Sequence, residues 1–301
     1  MTSSSEYERI VEEVTRRVLA QLDGPLSSVC APRALVSVCS GAGGECAACG
    51  RCAELRPDDI AALRSAGAAR LSSASGIGKV RSELAKLIDH TLLKPEATRD
   101  QLRKICEEAV QYGFYSVCVN SANVRYCANM LRGSDVKVVA VVGFPLGAMS
   151  PQSKAFETKQ AVRDGAREID MVVNIGKLKT GEYDCVLEDI EAVVAAAEPY
   201  PVKVIIETSA LTDEEKVAAS ALCSAGGARF VKTSTGFGKG GATAQDVALI
   251  RRVVGERMEI KASGGIKNAQ DVDAMVSAGA TRIGASASVT IVTGGTSKSS
   301  Y

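Results

Sequence analysis

From about Val80 onward, apolar runs of four to seven residues alternate with segments whose apolar residues recur every three or four positions. The runs predict strands near 86–91, 115–119, 136–142, 168–173, 202–207, 229–233, 258–262 and 281–284. The periodic segments predict helices near 98–112, 121–132, 151–165, 183–197, 212–225, 243–255, 268–278 and 286–292. The runs are rich in Val and Ile, as strands buried on both faces are. Eight strand–helix pairs in sequence make an α/β chain folded as a (β/α)8 TIM barrel. A doubly wound open sheet is the alternative, but it usually leaves an odd strand or a long excursion at its switch point.

The N-terminal part is different material. In residues 5–22, Tyr7, Ile10, Val11, Val14, Val18, Leu19 and Leu22 recur at three- and four-residue steps, with Glu8, Glu12, Glu13, Arg16 and Arg17 between them. This predicts an amphipathic helix ended by Asp23-Gly24-Pro25. A single helix of this length needs something to dock on. Residues 24–80 are rich in Ala, Gly, Ser and Cys, with a short helix expected at 58–70 and a Ser/Gly linker at 72–78. The expected organisation is a helix over 1–23, a Cys-rich extension over 24–80 and a barrel with a C-terminal tail over 81–301.

Composition narrows the function classes. The 301 residues carry 36 Lys+Arg against 35 Asp+Glu, so no global field favours nucleic acid. No apolar stretch reaches the ~18 residues of a membrane span. No charged segment followed by an apolar one marks a secretory signal, so a cytoplasmic protein is expected. Of the ten cysteines, five fall in the first 52 residues. Cys46, Cys49 and Cys52 stand three apart with Cys39 upstream, the spacing of a zinc or iron–sulfur thiolate cluster. A Cys-bearing linker without metal is the competing reading.

In a barrel, chemistry collects at the C-terminal ends of the strands. There the chain places Asp89-His90-Thr91, Cys118 and Asn120, Asp170 and Asn174, Glu207-Thr208-Ser209, Lys232-Thr233-Ser234-Thr235, Lys261 with Ser263-Gly264-Gly265, and Gly284-Ala285-Ser286. Lys232 and Lys261 are the sharpest signal, because lysine is rarely buried within a strand. A nucleophilic amine must be neutral, and moving its pKa from about 10.4 to about 7 takes roughly 4 kcal/mol. A second ammonium about 4 Å away supplies roughly that at an effective dielectric near 20, and desolvation adds to it. The pair therefore reads as nucleophile and tuner, and this argument does not say which is which. Asp170 is the candidate proton relay. Gly264-Gly265 after strand 7 and Ser286 after strand 8 sit where barrels cradle phosphate, with Gly236 and Gly238 nearby after strand 6.

The segments IDHTLLKPEAT (88–98), SVCVN (116–120), VVGFPLG (141–147), EIDMVVNIG (168–176), KVIIET (203–208), VKTSTGFGKGGAT (231–243), IKASGGIK (260–267) and RIGAS (282–286) together resemble the deoxyribose-phosphate aldolases. The resemblance spans about 84–292 and touches all eight expected strands in order. It implies a class I, Schiff-base lyase that cleaves 2-deoxy-D-ribose 5-phosphate reversibly to D-glyceraldehyde 3-phosphate and acetaldehyde, in deoxyribonucleotide and carbohydrate degradation. It makes Lys232 the nucleophile, Lys261 the tuning lysine and Asp170 the proton-transfer acid. Gly236, Gly264, Gly265 and Ser286 become phosphate contacts, with Cys118, Asn120 and Thr233 also placed in the substrate site. No cofactor is expected for catalysis, because the protonated imine is the electron sink. Some members end in a tail whose terminal tyrosine reaches the site, which makes Tyr301 a candidate for assisting proton transfer.

Two departures stand out. Relatives commonly have proline where this chain has Ser121, so a looser loop is expected there. Lys239 stands in the loop after strand 6 where a small residue is expected. The helix at 5–22 also resembles the encapsulation peptides of bacterial microcompartments, which would make shell proteins a partner; docking on the barrel or on another subunit is the competing reading. A homo-oligomer is expected. The alternatives to the main reading are another Schiff-base aldolase for a phosphorylated aldehyde, or a barrel serving as a scaffold or metal-carrying protein.

Overall fold

The computed structural model describes residues 11–18, 20 and 81–297. Cys39, Cys46, Cys49, Cys52, the helix and linker expected within 24–80, and Tyr301 lie outside the described residues.

Eight parallel strands close into a barrel in chain order: β1 Ile88–Leu92, β2 Ser116–Asn120, β3 Lys137–Val142, β4 Glu168–Val172, β5 Val202–Ile205, β6 Phe230–Lys232, β7 Glu259–Ser263 and β8 Arg282–Ala285. β8 pairs back onto β1, with Ile88 beside Ile283, which excludes the open-sheet alternative. Each strand lies within two residues of its expected ends. The helices are α1 (11–18), α2 Ser82–Ala85, α3 Arg99–Tyr112, α4 Val124–Met130, α5 Pro151–Asp164, α6 Ile175–Lys179, α7 Tyr183–Ala197, α8 Asp213–Ala225, α9 Ala244–Val254, α10 Ala269–Ser277 and α11 Ser288–Val292.

Local chemistry fixes the helix ends. Reciprocal caps start α3 at Thr98 and Gln101, α8 at Thr212 and Glu215, and α10 at Asn268 and Asp271. α5 starts with Ser150 as cap and Pro151 in the first turn. α2 and α6 were not expected from the pattern. Asn174, expected as a polar residue of strand 4, instead lies beyond it and caps α6, accepting from the Lys177 N–H at 3.2 Å.

The strands alternate strictly. Val117, Val119, Val138, Ala140, Ile169, Met171, Val204, Val231, Ile260 and Ile283 face outward into the apolar layer beneath the helices. The intervening positions face the lumen. On the β2–β3 side the lumen is apolar, with Cys118, Val139 and Val141 packed against Leu93 and Phe144. Elsewhere it is filled with charge. Val14 and Val18 of α1 are buried within the outer apolar cluster, and Val11 packs against it. The N-terminal helix therefore docks on the body of the molecule, while Glu13 pairs with Arg16 and Arg17 on its exposed side.

The floor of the lumen is a buried ion cluster. Arg282 Nη1 donates to Asp89 Oδ1 at 3.0 Å and to Glu168 Oε2 at 2.9 Å. Ser116 Oγ donates to Asp89 at 2.7 Å and Tyr115 to Glu168 at 3.1 Å. The guanidinium lies 3.5 Å from the centre of the Tyr115 ring. Removing one partner of a buried ion pair typically costs about 3–5 kcal/mol, because the other charge is left without compensation. Arg282→Leu is accordingly expected to lower the free energy of unfolding by about that amount, read as a shifted urea midpoint with an unchanged slope.

Candidate active site

Three lysines converge on one carboxylate. Asp170, in the middle of β4, accepts at Oδ2 from Lys232 Nζ at 2.8 Å and from Lys261 Nζ at 2.7 Å. Its other oxygen accepts from Lys203 Nζ at 2.9 Å. The register explains the convergence: Lys203 stands beside Asp170 on neighbouring strands, and Lys232 stands beside Lys261. Lys261 also approaches Asp89 Oδ2 at 2.5 Å, and Lys203 approaches Glu168 Oε2 at 2.5 Å. All of these groups are buried.

The surroundings push the lysines in opposite directions. Burial pushes the Lys232 amine below the usual lysine range; its single close carboxylate, Asp170, opposes this without overcoming it, and Lys261 pushes in the same direction as burial. Lys261 is equally buried, but the carboxylates of Asp170 and Asp89 outweigh burial and hold it above its ordinary value. Lys203 is raised for the same kind of reason, by Asp170 and Glu168 against burial. Asp170 is held well below the carboxylate range, where the three lysines outweigh its desolvation. Both influences expected on Lys232, desolvation and the neighbouring Lys261 ammonium, act in the expected direction, desolvation foremost.

A cavity opens above the network, bordered by Thr91, Lys232, Ser263, Gly264, Gly265 and Ser286. Of the three lysines on Asp170, Lys232 is the one that reaches it. Gly264 and Gly265 hold φ of 84° and 76°, in the left-handed region that a side chain would strain. A methyl group on Gly241 would stand 2.3 Å from the Gly264 carbonyl oxygen, so the loops after β6 and β7 touch backbone to backbone. Lys267 and Ser297 also border the cavity.

Other expected site residues stand back from this cavity. Gly236 lies behind Gly264: a methyl group on Gly264 would meet its Cα at 3.7 Å. Cys118 faces the lumen with its thiol 4.0 Å from Asp170 Oδ2, and burial pushes that thiol up. Asn120 donates to the Leu93 carbonyl at 3.1 Å and holds the end of β1. The Thr233 hydroxyl donates to the Ser263 carbonyl and accepts from the Ser263 N–H, both at 3.1 Å, tying β6 to β7. Lys239 is exposed. The expectation for Ser121 is overturned. Its hydroxyl donates to Glu157 Oε1 at 2.7 Å, and Glu157 Oε2 accepts from the Gly143 N–H at 2.9 Å. Serine there fastens the loops after β2 and β3 to α5.

Lys203, Glu168 and Arg282 were missed as members of the network. The available signal was parity: each charge interrupts an apolar strand at a lumen-facing position, Glu168 two residues from Asp170. Among the described residues no group of three or more His, Cys, Asp or Glu is arranged to hold a metal ion, and no helix is long and apolar enough to cross a membrane.

The family model described as DeoC/LacD family aldolase matches residues 84–296. The chain belongs to the DeoC/LacD family of aldolases. Curated relatives named deoxyribose-phosphate aldolase include one from Macrococcus caseolyticus, 59% identical over 218 residues, covering 72% of this chain and 99% of the relative. Another, from Bdellovibrio bacteriovorus, is 57% identical over 219 residues, covering 73% and 100%. A structure titled as a putative deoxyribose-phosphate aldolase from Coccidioides immitis aligns with a TM-score of 0.69 at 39% identity, over 79% of this chain and 96% of that one. A tetrameric deoxyribose phosphate aldolase from Aeropyrum pernix aligns with a TM-score of 0.66 at 31% identity, over 70% and 90%. In this aldolase the matched region contains the whole barrel and all of Asp170, Lys203, Lys232 and Lys261.

The depressed amine makes a thermodynamic prediction. A lysine whose native pKa lies below its unfolded value of about 10.4 penalises folding at lower pH, and the penalty disappears as pH rises through the unfolded value. Wild-type stability should therefore gain on that of Lys232→Met between pH 7 and pH 10, measured by urea unfolding. A constant difference across that window would show that Lys232 is an ordinary ammonium.

Proposed function

We propose that this aldolase cleaves 2-deoxy-D-ribose 5-phosphate reversibly to D-glyceraldehyde 3-phosphate and acetaldehyde through an imine on Lys232. The observation that carries the assignment is that Lys232 alone of the three lysines on Asp170 both meets the cavity and has its ammonium destabilised. Lys261 and Lys203, held charged, are poor nucleophiles.

Each step uses this difference in how firmly the amines hold their protons. The neutral Lys232 amine attacks C1 of the open-chain sugar aldehyde, and the carbinolamine loses water to give a protonated imine. The imine draws the electron pair of the C2–C3 bond as the C3 hydroxyl loses its proton. Glyceraldehyde 3-phosphate departs, leaving the enamine of acetaldehyde on Lys232. Protonation of the enamine carbon and hydrolysis of the imine release acetaldehyde and regenerate the amine. Asp170, whose Oδ2 accepts from both Lys232 and Lys261, is the proton relay between the charged Lys261 and the groups reacting on Lys232. Asp170 keeps Lys261 charged and the pair in place. The left-handed turns at Gly264 and Gly265, with Ser286 opposite, present backbone and hydroxyl donors at the cavity end suited to the 5-phosphate. Tyr301 remains a proposed proton-transfer partner at the end of the tail.

Self-association fits the tetrameric relative. A shell protein that bound residues 5–22 would have to displace α1, whose Val14 and Val18 are already buried. Removing residues 1–22 is expected to leave turnover within about twofold and to lower the melting temperature, measured by aldolase assay and thermal scan.

The deciding experiment is borohydride reduction in the presence of acetaldehyde, followed by peptide mapping. A two-carbon adduct on Lys232 is expected. Lys261→Met should still form it, while kcat for the sugar phosphate falls by about 10²–10⁴-fold, the range of a lost general acid. An adduct on Lys261 with Lys232 unmodified would defeat the assignment.

A further inference from the structure

Glu207 follows β5 and does not reach the cavity. It is nonetheless the one non-glycine residue among those described that is held in the left-handed region, with φ of 57°. Such strain persists only where surrounding structure enforces it. The enforcing contacts are specific. Glu207 Oε2 accepts from the Thr235 N–H at 3.1 Å and, in a short bond, from the Thr235 hydroxyl. The Thr235 hydroxyl in turn accepts from the Phe237 N–H at 3.0 Å. Glu207 Oε1 is buried without a hydrogen-bond partner and lies against Gly238, where an added methyl would stand 3.0 Å away. Two residues further along, a methyl on Gly240 would meet Ser209 Cβ at 3.0 Å. The loop from Thr235 to Gly241 thus rests on the turn after β5 and is gripped at its start by one carboxylate.

The other end of this loop is fastened to the cradle. The Ala242 N–H donates to the carbonyls of Ser263 at 3.1 Å and Gly264 at 3.0 Å, and Gly241 packs on the Gly264 backbone. Thr235 itself borders the cavity beside Lys232. The loop therefore runs from a residue next to the nucleophile to the backbone of the proposed anion site, and Glu207 sets its starting point.

We propose that Glu207 is a positioning residue for the phosphate end of the substrate: through Thr235 it fixes the loop after β6 against Gly264 and Gly265. This rests on the proposed function. The role differs from that of Lys232, Lys261 and Asp170, since Glu207 touches neither the amines nor the space where the bond breaks. Its loss should weaken binding of the phosphorylated substrate while leaving the chemistry at Lys232 largely intact.

The test uses the full chain with two substrates, 2-deoxyribose 5-phosphate and unphosphorylated 2-deoxyribose. Glu207→Gly removes the carboxylate and accommodates φ of 57° without strain, so it should fold. Glu207→Gln keeps an acceptor for Thr235. For Glu207→Gly, KM for the phosphorylated sugar should rise by about 10–100-fold, the worth of hydrogen bonds to a charged group. Its kcat should change by less than about threefold, and kcat/KM for the unphosphorylated sugar by less than about threefold. Glu207→Gln should recover most of the lost affinity, and borohydride trapping of acetaldehyde on Lys232 should match wild type in both variants. Equal losses on both substrates, or unchanged KM in Glu207→Gly, would overturn the positioning role. A wild-type enzyme with no preference for the phosphorylated sugar would instead sink the proposed function, and this proposal with it.

Discussion

The structure turns on one carboxylate shared by three lysine side chains. Asp170 is buried in the lumen and ionised only because Lys203, Lys232 and Lys261 surround it. The lysines in turn are bearable there only because of Asp170 and the acids behind it. The arrangement is unequal. Lys261 has two carboxylates and Lys203 has three, the third being Asp89 at 4.0 Å, whereas Lys232 has one. At equal burial, that difference in partners separates a held ammonium from a releasable one. Under-compensation is what suits Lys232 to the proposed role of nucleophile, with no special residue type needed.

The rest of the barrel supports this imbalance. Arg282 balances Asp89 and Glu168 at the floor, so the two acids stay fixed while Lys261 draws on the other oxygen of Asp89 and Lys203 shares Glu168 Oε2 with the guanidinium. Gly284 has no side chain where one would stand 3.0 Å from Lys261 Cε, which leaves the lysine room to lie across the lumen. Buried ion clusters rarely add net stability compared with apolar packing. Their presence in place of the branched aliphatic layers usual in such barrels reflects chemistry, and the outer apolar layer carries the fold.

Much of this was legible in the chain. Val-Ile runs at regular spacing fixed the number and order of strands, because buried parallel strands leave little freedom in composition. Lys232, Lys261 and Asp170 stood out as charges inside those runs. Choosing between the lysines was not legible, since it depends on which carboxylate oxygen each amine reaches across the lumen. Lys203 sits in a run as apolar as that of Lys232, but its partners lie on other strands and its role appears only on closure. Ser121 misled for a related reason: its value lies in Glu157, thirty-six residues away, which also holds Gly143. α6 escaped notice because five residues are too few to show a helical period.

The alternation of the strands has a consequence for how the chain finds its fold. Because side chains switch faces at every residue, a strand slipped by one position exchanges its two faces completely. For β4 such a slip would carry Glu168 and Asp170 into the layer under the helices and turn Ile169 and Met171 into the lumen, leaving Lys203 without its two nearest carboxylates and Lys261 with Asp89 alone. An all-aliphatic strand would tolerate that error at little cost. Here a one-residue slip of β4 strands two charges in an apolar layer, so the residues proposed to make the site reactive also proofread the assembly of the barrel.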